Sequence, residues 1–138
     1  MNKLVVYLAG GLYSSWQNVV SEYVYEALGR DLVVLLNPQD HDSPEEDAYT
    51  TWDLEAIRQA DIVFAYIERD NPSGVGTSLE IGYARALGKI IILVDEKQDS
   101  HFGMARVAAD VVFNDFQSGM LYLYKLLRMR VRIFQPAA

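Results

Sequence analysis

Short apolar runs alternate with longer stretches of helical periodicity along the whole chain. The runs contain few polar residues, which is typical of strands that are buried on both faces of a parallel sheet. This pattern predicts five strands, at residues 4–9, 32–36, 62–67, 90–94 and 111–113. It also predicts four helices, at residues 15–28, 43–60, 77–87 and 116–129.

Strands that alternate with helices in this way predict an α/β fold in which helices cover both faces of the sheet. We expect one flavodoxin-like, or Rossmann-like, domain over residues 1–138. It is a three-layer sandwich with five parallel strands in the order 2-1-3-4-5 and right-handed crossovers. In such a sheet a ligand binds beyond the C-terminal ends of the first and third strands.

The loop after the first strand is one candidate for ligand binding. Gly10 and Gly11 would let the backbone approach a ligand closely, and Trp16 and Tyr13 would stack on a planar ring. The alternative is a tight turn whose aromatic side chains pack locally.

A second candidate lies on the helix predicted at residues 43–60, whose first four residues combine a serine cap, a proline and two glutamates. Asp53 lies on the inward side of this helix, one turn after Tyr49. A carboxylate there is costly unless it is paired or functional. The alternative is a helix break near Thr50, with Thr50 as the new cap and Asp53 as the acid of a capping box.

The third candidate is the glycine-rich turn after the third strand, where Gly74 and Gly76 precede Glu80. A strand, a glycine turn and a helix N-terminus form a pocket in many α/β proteins. We expect Glu80 in the first turn of that helix, where the helix dipole favours its ionised form and where it acts as a nucleophile or a ligand anchor. The alternative is a capping box at residues 77–80, in which Glu80 bonds to its own helix start.

Other acidic residues have a simpler explanation. Asp31, Asp61 and Asp110 each directly precede an apolar strand. Three copies of one local pattern indicate a structural device, an acid at the entrance of a strand, rather than three active-site groups.

Composition narrows the function classes. The chain has 138 residues, 51% of them hydrophobic, and a formal net charge of -7, which argues against binding to nucleic acid or to a membrane surface. It contains no cysteine, so disulfides, cysteine nucleophiles and thiolate metal sites are excluded. His41 and His101 are isolated in the sequence, and no spacing predicts a metal site.

Without a membrane span or a cleavage site after the first strand, we expect a cytoplasmic protein.

Taken together, these segments resemble the nucleoside 2-deoxyribosyltransferase family. Residues 7–10 are similar to the opening strand and turn of that family, and residues 52–63 to its aspartate helix and the strand that follows. Residues 76–77, 80–84 and 88–89 are similar to its nucleophile motif. No single piece is specific, but the order and spacing of the three segments are.

The resemblance implies roles for individual residues. Glu80 would be the nucleophile that attacks the anomeric carbon of a 2'-deoxynucleoside and forms a covalent glycosyl-enzyme. Asp53 would exchange a proton with the base, in an apolar pocket that raises its pKa, and Tyr7 would position the nucleophile. A second base, or water, would then accept the sugar. No cofactor is implied.

The chain departs from the family at its sugar-binding positions. Transferases of the family commonly carry an aspartate six residues before the nucleophile, where this chain has Gly74 with Ser73 beside it. Asp70, Asn71 or Ser73 would have to substitute for it. The family's sugar-binding asparagine, which comes from a neighbouring subunit, would fall near residues 100–102, and none is there.

Several functions stay open at this point. Related deoxynucleoside monophosphate hydrolases carry an arginine for the phosphate in the first loop. Residues 11–17 contain none, which favours an uncharged nucleoside over a nucleotide as the substrate. In a transfer reaction, a free base is the second substrate. The alternatives are a deoxynucleoside 5'-monophosphate N-glycosidase, a phosphoribohydrolase of the lysine-decarboxylase-like family, and a non-catalytic nucleotide- or nucleoside-sensing module. The resemblance also implies a homo-oligomer, with Phe116, Tyr122 and Tyr124 of the last helix as interface candidates.

Overall fold

The computed structural model describes residues 3–41 and 43–134. It contains one five-stranded parallel sheet with the strand order β2-β1-β3-β4-β5, which confirms the predicted order. The strands are β1 (Leu4–Gly10), β2 (Val33–Leu36), β3 (Ile62–Ile67), β4 (Ile90–Asp95) and β5 (Val111–Phe113). The helices are α1 (Trp16–Leu28), α2 (Glu46–Gln59), α3 (Val75–Ala86), α4 (Gly103–Ala108) and α5 (Phe116–Phe134), with short 3-10 turns at Pro38–Asp40 and Ser100–Phe102.

Helices cover both faces of the sheet, as the apolar strands predict. Helices α1 and α5 pack on one face, and α2, α3 and α4 pack on the other. Because side chains alternate along a strand, Val6 and Leu8 of β1 face the first layer, whereas Tyr7 and Ala9 face the second. This alternation puts Tyr7 on the side of the sheet where α2 and α3 lie.

Helix α2 begins later than its sequence pattern predicts. Its first residue is Glu46, and Ser43 does not cap it, since the Ser43 hydroxyl accepts a hydrogen bond from the Glu45 amide instead. The helix also runs without a break through Thr51, whose hydroxyl donates to the Asp47 carbonyl within the helix. The alternative of a second cap at Thr50 is therefore wrong, and Asp53 lies in the helix interior.

Helix α3 begins earlier than predicted. Its N-cap is Gly74, with a left-handed φ of 84°, and its first residue is Val75 rather than Thr77. Glu80 is therefore the sixth residue, in the second turn, and the alternative of a capping box at residues 77–80 is wrong. The Glu80 side chain is free to point away from the helix start.

The sequence analysis missed one helix and shortened another. Helix α4 has six residues, too few to produce a helical period, and the Arg106 guanidinium on it forms a 2.7 Å ion pair with the buried Asp95. Helix α5 extends to Phe134, beyond the predicted end at residue 129. No helix in the described part of the chain has the length and apolar character of a membrane span.

Two of the acids that precede strands have the predicted structural role. Asp61 Oδ2 accepts a hydrogen bond of 2.9 Å from the Val5 amide, and Asp110 Oδ2 accepts one of 2.7 Å from the Ile91 amide. Each carboxylate satisfies a backbone donor near the start of the neighbouring strand. Their distance from the C-terminal edge of the sheet separates them from the candidate site.

Helix α5 lies close to the sheet at Gly119. A Cβ added there would come within 2.2 Å of Val94 Cγ2, so only glycine allows this approach. The aromatic residues of α5 largely serve packing within the chain: Phe116 contacts Tyr66 with ring centroids 4.8 Å apart, and Tyr124 contacts Tyr23 at 5.6 Å. Tyr122 contacts Phe113 at 5.3 Å, so all three aromatic residues that were interface candidates pack within the chain.

We expect Gly119→Ala to destabilise the fold by about 1–3 kcal/mol, because the added methyl group overpacks the contact between α5 and β4. Gly82→Ala is the matched control, since a Cβ at that helical glycine meets nothing within 4 Å. It should leave stability unchanged or raise it by about 1 kcal/mol. Denaturant unfolding of both variants measures the difference, and equal stabilities would contradict the close approach.

Candidate active site

A cavity of about 420 Å³ opens at the C-terminal edge of β1 and β3, where the strand order predicts a ligand crevice. It is lined by the loop after β1, by α2 and the turn that precedes it, by the loop after β3, and by the start of α3. Eight of the ten predicted site residues line it: Gly10, Gly11, Tyr49, Asp53, Ser73, Gly74, Gly76 and Glu80. Of the other two, Tyr7 lies behind the cavity wall and Trp16 lies elsewhere.

The centre of the site is a buried contact between β1 and α3. Tyr7 is fully buried, and its hydroxyl donates a hydrogen bond to Oε2 of Glu80, which is itself only 8% exposed. Burial, together with the nearby charges of Glu80 and Asp53, raises the pKa of Tyr7 far above its usual value. The tyrosine therefore stays protonated and acts as a permanent donor to the carboxyl group.

Burial also decides the protonation of Glu80. The pKa of Glu80 is raised to about 8 because burial outweighs the Tyr7 hydrogen bond, which lowers the pKa, and the charge of Asp53 adds to the rise. Burial therefore opposes the expected ionisation of this group by a helix N-terminus. Glu80 lies in the second turn of α3, where the dipole of the helix end has fallen off.

Asp53 is the second carboxyl group at the cavity. Burial raises its pKa to about 6, in the expected direction, whereas the charge of His41 and the Tyr7 hydroxyl lower it. Its Oδ1 atom is buried and has no hydrogen-bond partner among the described residues. A buried oxygen without a partner is suited to exchange a proton with a bound ligand.

The sequence analysis missed His41, which it treated as isolated. The 3-10 turn at Pro38–Asp40 carries this residue to the cavity, where its Nε2 lies 3.9 Å from Asp53 Oδ1. Its ring stacks on Tyr49 and meets Trp52 edge-on, with ring centroids 6.0 and 5.6 Å apart. The one available signal was its position shortly after β2, whose C-terminal end lies beside β1.

The prediction that Trp16 stacks on a ligand is wrong. Its ring is 5% exposed and packs in the core on the α1 side of the sheet, 5.3 Å from the Tyr66 ring. Its indole N–H donates to the Gly11 carbonyl at 3.1 Å, so it fixes the first loop in place instead. Tyr13, which is 72% exposed, is the aromatic residue of that loop at the cavity.

Two glycines of the site lie where other atoms leave no room for a Cβ. A Cβ on Gly10 would lie 2.7 Å from the Tyr66 carbonyl oxygen, and one on Gly74 would lie 2.7 Å from the Phe102 ring. Gly74 also has the left-handed backbone that side chains rarely adopt. These positions therefore contribute backbone and space to the cavity, not side chains.

The arrangement supports chemistry at a glycosidic bond. It combines a carboxyl group held by a permanent donor with a second carboxyl group that faces the same cavity. This is the pair that a nucleophile and a proton donor require in double displacement. No lysine or arginine lies among the described residues that line the cavity.

Comparison with known proteins agrees with this chemistry. The sequence model of the family described as nucleoside 2-deoxyribosyltransferase matches residues 6–122. No curated protein sequence matches significantly. Among solved structures, a 2-deoxyribosyltransferase from Bacillus psychrosaccharolyticus is 28% identical with a TM-score of 0.67, over 89% of this chain and 95% of that one.

Two further solved structures are similar. A CMP N-glycosidase from Clostridium botulinum is 25% identical with a TM-score of 0.58, over 86% of this chain and 97% of its own. A 2-desoxiribosyltransferase from Leishmania mexicana, at 22% identity and a TM-score of 0.63, shares the fold over 88% of this chain and 97% of its own. The chain therefore belongs to the nucleoside 2-deoxyribosyltransferase family and is an enzyme of this kind, a transferase or a related N-glycosidase.

Proposed function

We propose that this enzyme transfers the 2-deoxyribosyl group of a 2'-deoxynucleoside to a second base through a covalent intermediate on Glu80. The Glu80 carboxylate attacks C1', and the C1'–N bond breaks with its electron pair going to the base nitrogen. Asp53 gives its proton to the departing base. The nitrogen of the incoming base then attacks C1', Glu80 leaves as a carboxylate, and Asp53 takes the proton of that base.

The observation that carries this proposal is the Tyr7–Glu80 hydrogen bond at a cavity that also holds Asp53. Tyr7 fixes the orientation of the Glu80 carboxyl group and leaves its second oxygen for the sugar. A side chain that was only a helix cap would not reach across to a buried strand residue.

Proton placement is the main requirement of this mechanism. The attack requires an ionised Glu80 and a protonated Asp53. Burial raises the pKa of both groups, to about 8 and about 6, so each holds its proton more tightly than an exposed carboxyl group does. The Tyr7 hydroxyl is close to both groups, and their titrations are coupled. A base nitrogen that accepts a hydrogen bond from Asp53 favours the reactive distribution, because it stabilises the proton on that residue.

The charge of the site supports an uncharged nucleoside over a nucleotide. The chain is acidic, and no lysine or arginine lies among the described residues at the cavity. In the first loop the Ser14 hydroxyl donates to Glu68 at 2.9 Å, so a carboxylate already occupies this donor. The second candidate is a deoxynucleoside 5'-monophosphate N-glycosidase, which the similarity to a CMP N-glycosidase supports.

The proposal includes a homo-oligomer. Exposed apolar side chains on two helices support it: Val75 and Leu79 are 72% and 58% exposed on α3, and Met104 and Val107 are 89% and 83% exposed on α4. Helices α3 and α4 pack against each other, so these residues offer apolar surface for a second subunit.

Incubation with 2'-deoxynucleosides, with and without a free acceptor base, tests the proposed reaction by chromatography. We expect an exchanged nucleoside with the base present, and a loss of more than about a thousandfold in Glu80→Ala, because the nucleophile is removed. Glu55→Ala, on the exposed surface of α2, is the matched control. Free base formed at the same rate without an acceptor would favour hydrolysis, and turnover of monophosphates alone would favour the second candidate.

Glu80 also makes stability depend on pH. A carboxyl group whose pKa rises from 4.5 to about 8 on folding holds its proton more tightly in the folded state, so the free energy of unfolding falls as the pH rises through this range. Glu80→Gln removes this loss and keeps an acceptor for Tyr7. Relative to wild type, the variant should gain on the order of 4 kcal/mol between pH 4 and pH 9.

Denaturant unfolding at both pH values measures this gain, and Glu26→Gln on the surface of α1 is the matched control. Parallel pH profiles for wild type and Glu80→Gln would contradict a buried, protonated Glu80.

A further inference from the structure

The position that commonly carries a sugar-binding carboxylate in this family is blocked in this chain. Gly74 has a φ of 84°, and its missing Cβ would collide with the Phe102 ring at 2.7 Å. Phe102 is 5% exposed and belongs to the core beneath α3 and α4. A side chain at position 74 would require a strained backbone and a displaced Phe102 ring, and the glycine present offers none, so a side-chain contact with the sugar has to come from another residue.

Asn71 is a buried polar residue three positions before Gly74. It is 4% exposed and lies in the loop after β3. Its backbone N–H donates to the Glu68 carbonyl at 3.0 Å, and its own carbonyl accepts from Lys97 Nζ at 2.5 Å. Its Oδ1 accepts from the Ser73 amide at 2.9 Å, so the loop holds Asn71 at three points.

The fourth polar group of Asn71 is the Nδ2 amide. Because Oδ1 faces a backbone donor, the opposite amide orientation would put two donors together, and Nδ2 must point the other way. It lies 3.1 Å from the point where a Cβ of Gly11 would be, at the cavity wall, and it donates to no described residue. A fixed donor that faces the cavity and has no acceptor among the described residues is available to a bound ligand.

We propose that Asn71 Nδ2 donates a hydrogen bond to a hydroxyl oxygen of the bound sugar, in place of a side chain at position 74. This inference rests on the proposed function, since it assumes a deoxyribosyl substrate with its anomeric carbon at Glu80. Asp53, His41 and Tyr49 come from α2 and the turn before it, and they form the base end of the cavity. Asn71 comes from the loop after β3 and forms the sugar end.

A double-change cycle tests the contact, in which residue 71 and a sugar hydroxyl group are removed separately and together. The substrates are a 2'-deoxynucleoside and its analogues that lack the 3'- or the 5'-hydroxyl group. In wild type, we expect the loss of the contacted hydroxyl to reduce kcat/KM by about tenfold or more. In Asn71→Ala, kcat/KM for the intact substrate should fall by a similar factor, and the further loss on removing that hydroxyl should disappear.

Asn71→Ser guards against a variant that fails to fold. Its hydroxyl can still accept from the Ser73 amide in a turn of the same type, but it is too short to reach the sugar. Arg69→Ala, at an exposed position of the same loop, is the matched control and should behave as wild type in every comparison. Equilibrium binding of the same three ligands gives the same cycle without turnover.

The outcomes separate the inference from the function beneath it. Hydroxyl dependence that disappears only in the residue 71 variants supports the contact. If kcat/KM of the variants falls by the same factor for every substrate while the hydroxyl dependence remains, the substitution has disturbed the loop. If the variants keep both the kcat/KM and the hydroxyl dependence of wild type, residue 71 makes no contact with the sugar. Either result overturns the inference but not the proposed function. A wild-type protein that neither binds nor turns over these nucleosides overturns the proposed function as well.

Discussion

The hydrogen bond from Tyr7 to Glu80 is the contact on which the site depends. It joins the interior strand β1 to helix α3 across a buried layer, and both partners are almost completely removed from water. It forms because Tyr7 points from β1 toward the side of the sheet where α3 lies, and because α3 begins at Gly74, whose backbone is left-handed. An apolar sheet thereby fixes the direction of a carboxyl group, which a flexible surface side chain could not achieve.

The same burial that fixes Glu80 also makes its charge costly. Burial raises the pKa of both Glu80 and Asp53, so each holds its proton more tightly than an exposed carboxyl group does. In the proposed mechanism, Glu80 ionises only when the ligand is bound. A base nitrogen that accepts a hydrogen bond from Asp53 stabilises the proton on that residue, which allows Glu80 to ionise when C1' is next to it.

The sequence predicts the fold and the two carboxyl groups well, but not the full set of residues around them. Uninterrupted apolar runs are enough to predict a parallel sheet, and the order of the segments selects Glu80 and Asp53 over their capping alternatives. The roles of Trp16, His41 and Asn71 depend on rotamers and on short turns, which have no period in the sequence. Trp16 fits the core as well as a ligand, and only its surroundings decide between them.

Trapping of the glycosyl-enzyme tests the covalent role of Glu80 most directly. A 2'-deoxy-2'-fluoroarabinosyl nucleoside slows the second step, since fluorine destabilises the positive charge that develops at C1'. Mass spectrometry of the intact protein and its peptides should find one fluorodeoxypentosyl group on Glu80, released when a free base is added. Turnover of deoxynucleosides that gives no adduct and continues undiminished in Glu80→Gln would contradict the mechanism.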